Sequence, residues 1–314
     1  MLSSVTAIRA TAAILVDPRE IEPEWRDRFH RNINEDAGRL ARSAQALVAY
    51  LDGADKADAA LSSPQDEMDR FLTRRAYHFA ALEGDCAEPD RVIEEIVDQD
   101  EALQSTSARA QARLYLERYR ADAERLPIAA LKAAQVAAPV PEMAADPLYL
   151  AAQLAVDQAT VMRRLASMSE GDEKDGVAQI PVGLVSCDAS GTLLLRRPLE
   201  GFAMPRFGAA CPRWPLFAAL SRPMTPIRQT LRHSGRHGRL FRAYAIAQPV
   251  GQPDYNAEPV FTAHMMILPL SRDGGGADTA QEAEAAREVG VSCRICPATN
   301  CAGRREPSIL TDGF

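Results

Sequence analysis

The sequence predicts an α+β fold: a mainly helical N-terminal half, then a C-terminal half in which strands and short helices build a sheet with a cysteine-rich tail. Three observations predict it. Up to residue 168 apolar residues recur at three- and four-residue steps, the period of a buried helix face. Beyond Ile180 short aliphatic runs are bounded by Gly, Pro and Asp turns, the pattern of strands. Between them lies SEGDEKDGVA, residues 169–178, a charged, glycine-containing stretch that reads as a linker.

Three segments follow: 1–60 helical, 61–170 helical, and 179–314 an α+β domain with the cysteine tail. From Glu22 to Leu51, Trp25, Phe29, Ile33, Ala37, Leu40, Ala44 and Leu47 mark one helix face, and Gly53 ends it. Ala108 to Leu126 is rich in Ala, Arg, Leu and Glu, ends at Pro127 and reads as a helix with Tyr115, Leu116 and Tyr119 on its apolar side. Pro139 and Pro141 assign a loop within the alanine-rich stretch 129–145. Pro147 to Met168 predicts two short helices with Val156 in the turn and Arg163 and Arg164 pointing outward. That shape fits a helix-turn-helix, but acidic surroundings and only two basic residues favour a helical hairpin packed on the preceding helices. Strands are expected at 180–185, 193–196, 242–247 and 261–270, with turns at Asp188–Gly191 and near Gly251, and short helices at 217–220 and 227–231.

The 314 residues suffice for two cores, and 46% hydrophobic with 25% charged residues excludes wholesale disorder. No apolar run reaches the ~20 residues that span a bilayer, and Arg9 interrupts the N-terminal apolar stretch, so a cytoplasmic protein is expected. Charge is uneven. Residues 1–180 carry 21 Lys and Arg against 32 Asp and Glu, a poor footprint for DNA. Residues 181–243 carry ten arginines, no lysine, and only Asp188 and Glu200. Arginine without lysine suggests bidentate recognition of phosphate or carboxylate.

Cys293, Cys296 and Cys301 in SCRICPATNC place three thiols on one turn-rich loop, and Cys211 in ACPRWP is the candidate for a fourth. Four soft thiolates suit a cubane iron–sulfur cluster or a structural zinc ion, and the spacing leaves both open. His233, His237 and His264 read as solvated or structural, Cys86 as a loop thiol and Cys187 as a buried strand residue. No His-Glu-x-x-His occurs; His78 and Glu83 do not reproduce it, and no acid–base pair accompanies the arginines, so catalysis is not expected.

Two separated motifs carry a resemblance. One is Arg206-Phe207-Gly208 with Cys211-Pro212-Arg213-Trp214; the other is Gly290-Val291, then Cys293-Arg294-Ile295-Cys296, Cys301, Arg304 and Pro307. Together they resemble the ligand-sensing half of the short-chain fatty acyl-CoA regulators, bacterial transcription factors of propionate and acetate metabolism. Residues 66–168 are similar, more weakly, to that family's degenerate zinc-peptidase-like region. The resemblance implies binding of CoA or a short-chain acyl-CoA, a [4Fe–4S] cluster (alternatively Zn) on Cys211, Cys293, Cys296 and Cys301, and a homo-oligomer. Arg196, Arg197, Arg206 and Arg213, with Arg236 and Arg239, are then the candidates for CoA phosphates, and Phe207 or Trp214 for its adenine or acyl group. The usual N-terminal helix-turn-helix is not visible, so DNA is a possible partner without a recognisable binding head. Pro297 and Ala298 also depart from the charged residues usual between these cysteines. An alternative reading is a zinc- or iron–sulfur-binding interaction protein that modulates a full-length paralogue.

Overall fold

The computed structural model describes residues 2–16, 21–52, 63–168, 180–206, 208–234, 238–251, 255–256, 258–270 and 283–310. The charged stretch 169–178 thus falls outside the described residues, as do Phe207, Arg236 and His237. Two compact units divide the chain, Met1–Glu67 and Met68–Phe314. The first holds α1 (Leu2–Val16) and α2 (Pro23–Asp52), which pack on each other. No helix of the described residues is long and apolar enough to cross a membrane.

In the second unit each helix starts where local chemistry dictates. After α3 (Pro64–Arg74) and α4 (Pro89–Gln99), α5 (Thr106–Arg125) opens on Ser105, whose side chain accepts from the Ala108 amide at 3.1 Å. Next, α6 spans Ile128–Val136, and the proline-bearing loop the sequence predicts follows it. Asp146 caps α7 (Pro147–Leu154) by accepting from the amides of Leu148 and Tyr149, with Pro147 in the first turn. Ala155, at φ 53°, ends that helix in the left-handed region, and Asp157 caps α8 (Gln158–Leu165) through the Thr160 amide at 2.9 Å.

The packed-hairpin reading of α7 and α8 therefore holds, with one correction. Arg163 and Arg164 do not point outward. Arg164 is buried and forks onto Glu83 at 2.8 and 2.9 Å, while Arg163 forks onto Asp122 at 2.6 and 2.7 Å. Each guanidinium exchanges water for a carboxylate that offers both oxygens.

The sheet runs β2-β1-β5-β4-β3-β6, with β1 Gly183–Asp188, β2 Leu193–Arg197, β3 Ile227–His233, β4 Leu240–Pro249, β5 Phe261–Pro269 and β6 Arg287–Val289. All neighbours are antiparallel except β3 and β6. Residues 227–231, expected as a short helix, are thus a strand. Ile227 and Leu231 fit a helix turn as well as one strand face, and pairing with β4 from Ile227↔Ala245 to Arg232↔Leu240 decides for the strand. The expected helix at 217–220 is present as α9 (Pro215–Leu220).

Alternation assigns the two faces. On one, Val185, Ala243, Ala245, Ala247, Ala263, Met265 and Ile267 meet α9 and the segment around Phe202 and Trp214. On the other, Leu184, Tyr244, Ile246, Met266 and Leu268 meet Leu131, Leu150, Val161, Met162 and Leu165 of α6–α8. A third apolar cluster, among α3, α4 and α5, reaches the sheet at Leu195. Each face of the sheet is thus covered by its own apolar cluster, and the α3–α5 cluster meets the sheet at Leu195.

Candidate ligand and metal centre

Three loops meet on the α9 side of the sheet: 203–206 with 208–214, 290–296 and 301–305. Trp214 fastens the first to the second. Its ring is wholly buried against Phe202, and its indole N–H donates to the Gly290 carbonyl at 3.0 Å. The Cys211 amide donates to the Val291 carbonyl at 2.9 Å. A side chain at position 290 would find the Cys296 sulfur at 3.0 Å, so glycine is what lets that thiol lie against the backbone.

Arginines fasten the third loop. Arg304 donates to the carbonyls of Cys293 at 3.3 Å and Cys296 at 3.5 Å, and also to Ala298; Arg305 donates to the Ala210 carbonyl. Cys293 Sγ lies 3.8 Å from the Gly303 carbonyl. The four candidate thiols thus come from two distant stretches into one corner. Cys211, Cys293 and Cys296 are buried there, and Cys301 is half-buried. Burial pushes the Cys211 thiol up; backbone N–H groups at Gly290 and Arg213 oppose this, and the neighbouring charges of Cys296 and Cys301 add to it. The sulfurs are gathered but not closed around a centre: among the described residues no three His, Cys, Asp or Glu side chains are placed to hold a metal ion.

The residues proposed for CoA divide. Arg206 and Arg213 are exposed on the 203–214 loop. Arg196 is buried and committed: one nitrogen donates to the carbonyls of Pro205 and Arg206, each at 2.7 Å, and the other to Asp69 of α3 at 2.5 Å. It is a clasp for the loop rather than a free phosphate ligand. Arg197 lies over the Tyr77 ring at 5.2 Å. Arg239 is exposed and pairs with Glu200 at 3.3 Å. Trp214, buried on all sides, offers no open face for stacking.

Sequence reasoning missed a second polar group, on the opposite face of the sheet. His264 Nδ1 and Ser186 Oγ are 2.7 Å apart, and His264 Nε2 is 3.3 Å from an Arg163 nitrogen. Arginine can only donate, so Nε2 is the acceptor and the Nδ1 proton goes to Ser186. Burial, then the charges of Arg163 and Arg118, holds His264 well below the usual imidazole range. The unfolded chain binds this proton below about pH 6.5 and the folded chain does not, so stability falls as pH drops through that value. His233, also lowered by burial, acts with the same sign. His264→Gln is therefore expected to flatten, not abolish, the loss of unfolding free energy between about pH 6.5 and 5. Parallel urea titrations of both proteins check this, and identical pH slopes would contradict it.

Residues 173–312 match the family described as short-chain fatty acyl coenzyme A regulator, C-terminal. A propionyl-CoA carboxylase regulator of Cereibacter sphaeroides is 28% identical over 48% of this chain and 32% of its own length. The transcriptional regulator PrpR of Mycobacterium tuberculosis is 28% identical over 69% of this chain and 43% of its own, and RamB of the same organism 24% over 51% and 34%. The matched stretches thus span 32–43% of these relatives' lengths. A solved Mycobacterium tuberculosis transcriptional regulator shares the fold, with a TM-score of 0.55 and 23% identity over 80% of this chain and 72% of that one. None of these likenesses supports the zinc-peptidase-like assignment of residues 66–168.

Proposed function

We propose that this chain is the ligand-sensing part of a transcriptional regulator, because residues 173–312 match the family described as short-chain fatty acyl coenzyme A regulator, C-terminal. The similar proteins are regulators of transcription or of an acyl-CoA enzyme, not enzymes. In this reading the chain binds CoA or a short-chain acyl-CoA and carries a [4Fe–4S] cluster on Cys211, Cys293, Cys296 and Cys301. Ligand and cluster bias a homo-oligomer that acts on the DNA of short-chain acyl metabolism. A coupling of roughly 1–3 kcal/mol between ligand and assembly is enough for a switch.

One observation supports the cluster most: a tail and a distant loop are tied together by Trp214, Arg304 and Arg305 around four thiols. Thiolates are the donors such a cluster requires. When bound, it supplies a one-electron or oxygen-sensitive centre. The chain's own part is to hold the thiols: Gly290 makes room for Cys296, and Arg304 pins the carbonyls on either side of the Cys-x2-Cys turn. Zinc suits the same thiols and is the second reading.

Anaerobic purification separates them. Iron and acid-labile sulfide with broad visible absorbance are expected, lost in Cys293→Ser and Cys296→Ser. Colourless protein with one zinc per chain overturns the cluster in favour of zinc.

A further inference from the structure

Helices α1 and α2 make up most of the first unit, and none of their described apolar side chains is buried. Of the 15 residues in α1 only Arg9 is charged, and a helix with so little polar surface belongs inside a bundle rather than in water. Helix α2 covers it on one side. Ile8, Thr11, Ala12 and Leu15 share that face at helical spacing and are half-buried. Val5 and Val16 on one flank and Ile14 on the other are exposed, Val16 by 81%.

On α2, Glu24, Asp27, Arg28, Arg31, Glu35 and Arg42 lie together on one exposed side. Opposite them runs an apolar arc wider than one neighbouring helix fills. Phe29, Ile33 and Leu40 in it are half-buried, while Ala37, Ala41 and Ala44 beside them are exposed. Length is a second, independent observation. At 1.5 Å per residue, α1 is about 22 Å long and α2 about 45 Å. One α1 therefore reaches along half of α2, and two of them, one from each of two chains, match its full length. Charge is a third. The N-terminal half of the chain is acidic, yet α2 carries five arginines against five Asp and Glu, so two copies meet without net repulsion, whereas a strongly charged partner would call for a bias in sign.

We propose that the α1–α2 hairpin is the docking surface for a second copy of this chain, two hairpins closing into a four-helix bundle about a two-fold axis. The two long helices run antiparallel, and Ala37, Ala41 and Ala44 allow them a close approach. Each α1 covers one half of its own α2 and lays its second apolar flank, with Ile14, on the other copy. Taken as strips about 10 Å wide, the two helices offer roughly 700 Å² per copy, close to the ~800 Å² per partner of a specific dimer. The proposal goes beyond the acyl-CoA reading: it gives the homo-oligomer its contact and needs neither ligand nor cluster.

Sedimentation velocity of the full chain over a wide range of concentration tests it, with a dimer expected. Ile14→Glu and Ala41→Glu each place two charges in a two-fold contact, and each is expected to raise the dissociation constant by about 100-fold or more. Val136→Glu, at a residue of α6 that is equally apolar and exposed, is expected to change it by less than about 2-fold. Positions 14 and 41 are exposed within one chain and glutamate is a good helix former, so far-UV circular dichroism is expected to show unchanged helix content in both variants. Photo-reactive benzoylphenylalanine in place of Ile14 is expected to give a covalent dimer of two full chains. A chain that stays monomeric at every concentration overturns the proposal and the homo-oligomer with it, while iron content and acyl-CoA titration still decide the cluster and the ligand. A dimer that keeps its affinity in both glutamate variants overturns this surface, and its loss in Val136→Glu would move the contact to α6.

Discussion

Replacing Trp214 by alanine is expected to lower the unfolding free energy by about 3–5 kcal/mol, the usual cost of deleting a fully buried large aromatic side chain. The ring is enclosed, packs on Phe202 at 5.5 Å between centroids, and anchors the Gly290 carbonyl through its only N–H. Trp214→Phe retains most of the packing but orphans that carbonyl, and about 1–3 kcal/mol is expected for it. Urea unfolding gives both values. Iron retention gives a second readout, because Trp214 joins the Cys211 loop to the strand leading into Cys293. If Trp214→Ala and Trp214→Phe lose equal amounts, the hydrogen bond and not the ring's burial carries the effect, and the burial assignment is wrong.

Arg164→Ala is the second large effect, again about 3–5 kcal/mol, because it strands a carboxylate that has given up water. Arg164 is 1% exposed; it forks onto Glu83, donates to the Leu126 carbonyl at 2.9 Å and lies over the Tyr119 ring at 5.4 Å. Tyr119 in turn donates to Glu83 at 2.5 Å. Burial by itself raises the Glu83 pKa, but the bonds and charge from Arg164 and the bond from Tyr119 outweigh it, and the carboxyl ends below its ordinary value. Its contribution is present above about pH 4.5, the unfolded value, and is lost as pH falls through the lower folded one. Arg164→Met combined with Glu83→Gln is expected to cost less than Arg164→Ala alone, since no charge is left unmatched. Chemical denaturation of the three proteins decides it; equal losses would mean that packing, not charge, dominates.

These residues also mark where the sequence stopped being legible. Helices and strands with strong local signals could be read: α5 from its composition and Pro127, β4 and β5 from continuous apolar runs that are buried on both faces. Sequence could also pair Cys211 with the tail, because three thiols on one loop leave a fourth corner of a tetrahedral metal site to fill. What it could not read depended on partners far along the chain. Arg163 and Arg164 looked like surface charges because Asp122 and Glu83 lie 41 and 81 residues earlier. Strand β3 looked helical because its apolar residues are four apart, and β6 is only three residues long and defined by its pairing. Trp214 looked like a ligand's stacking partner because an aromatic beside arginines suggests recognition, whereas its neighbours Phe202 and Phe241 make it core. Likewise the polar group around His264 has no motif. Ser186, His264, Arg163 and Asp122 come from β1, β5, α8 and α5 and are brought together only by the packing of helices on the sheet.

The short parallel strand β6 has a consequence for how the protein is made. It pairs with β3 at only three positions, Leu231↔Arg287 to His233↔Val289, and leads straight into the cysteine tail. A ribosome releases β1 to β5 and the Cys211 loop before any of it, so the sheet can form while its last edge is still vacant. Trp214 then waits with its indole N–H unpartnered until Gly290 arrives, and the thiol corner is completed only after the rest of the sheet has been made. A nascent chain that stalls before residue 287 would therefore present an open strand edge to other stalled chains, a known route to aggregation. Closure of the β6 edge thus comes before the sulfur-rich corner can form.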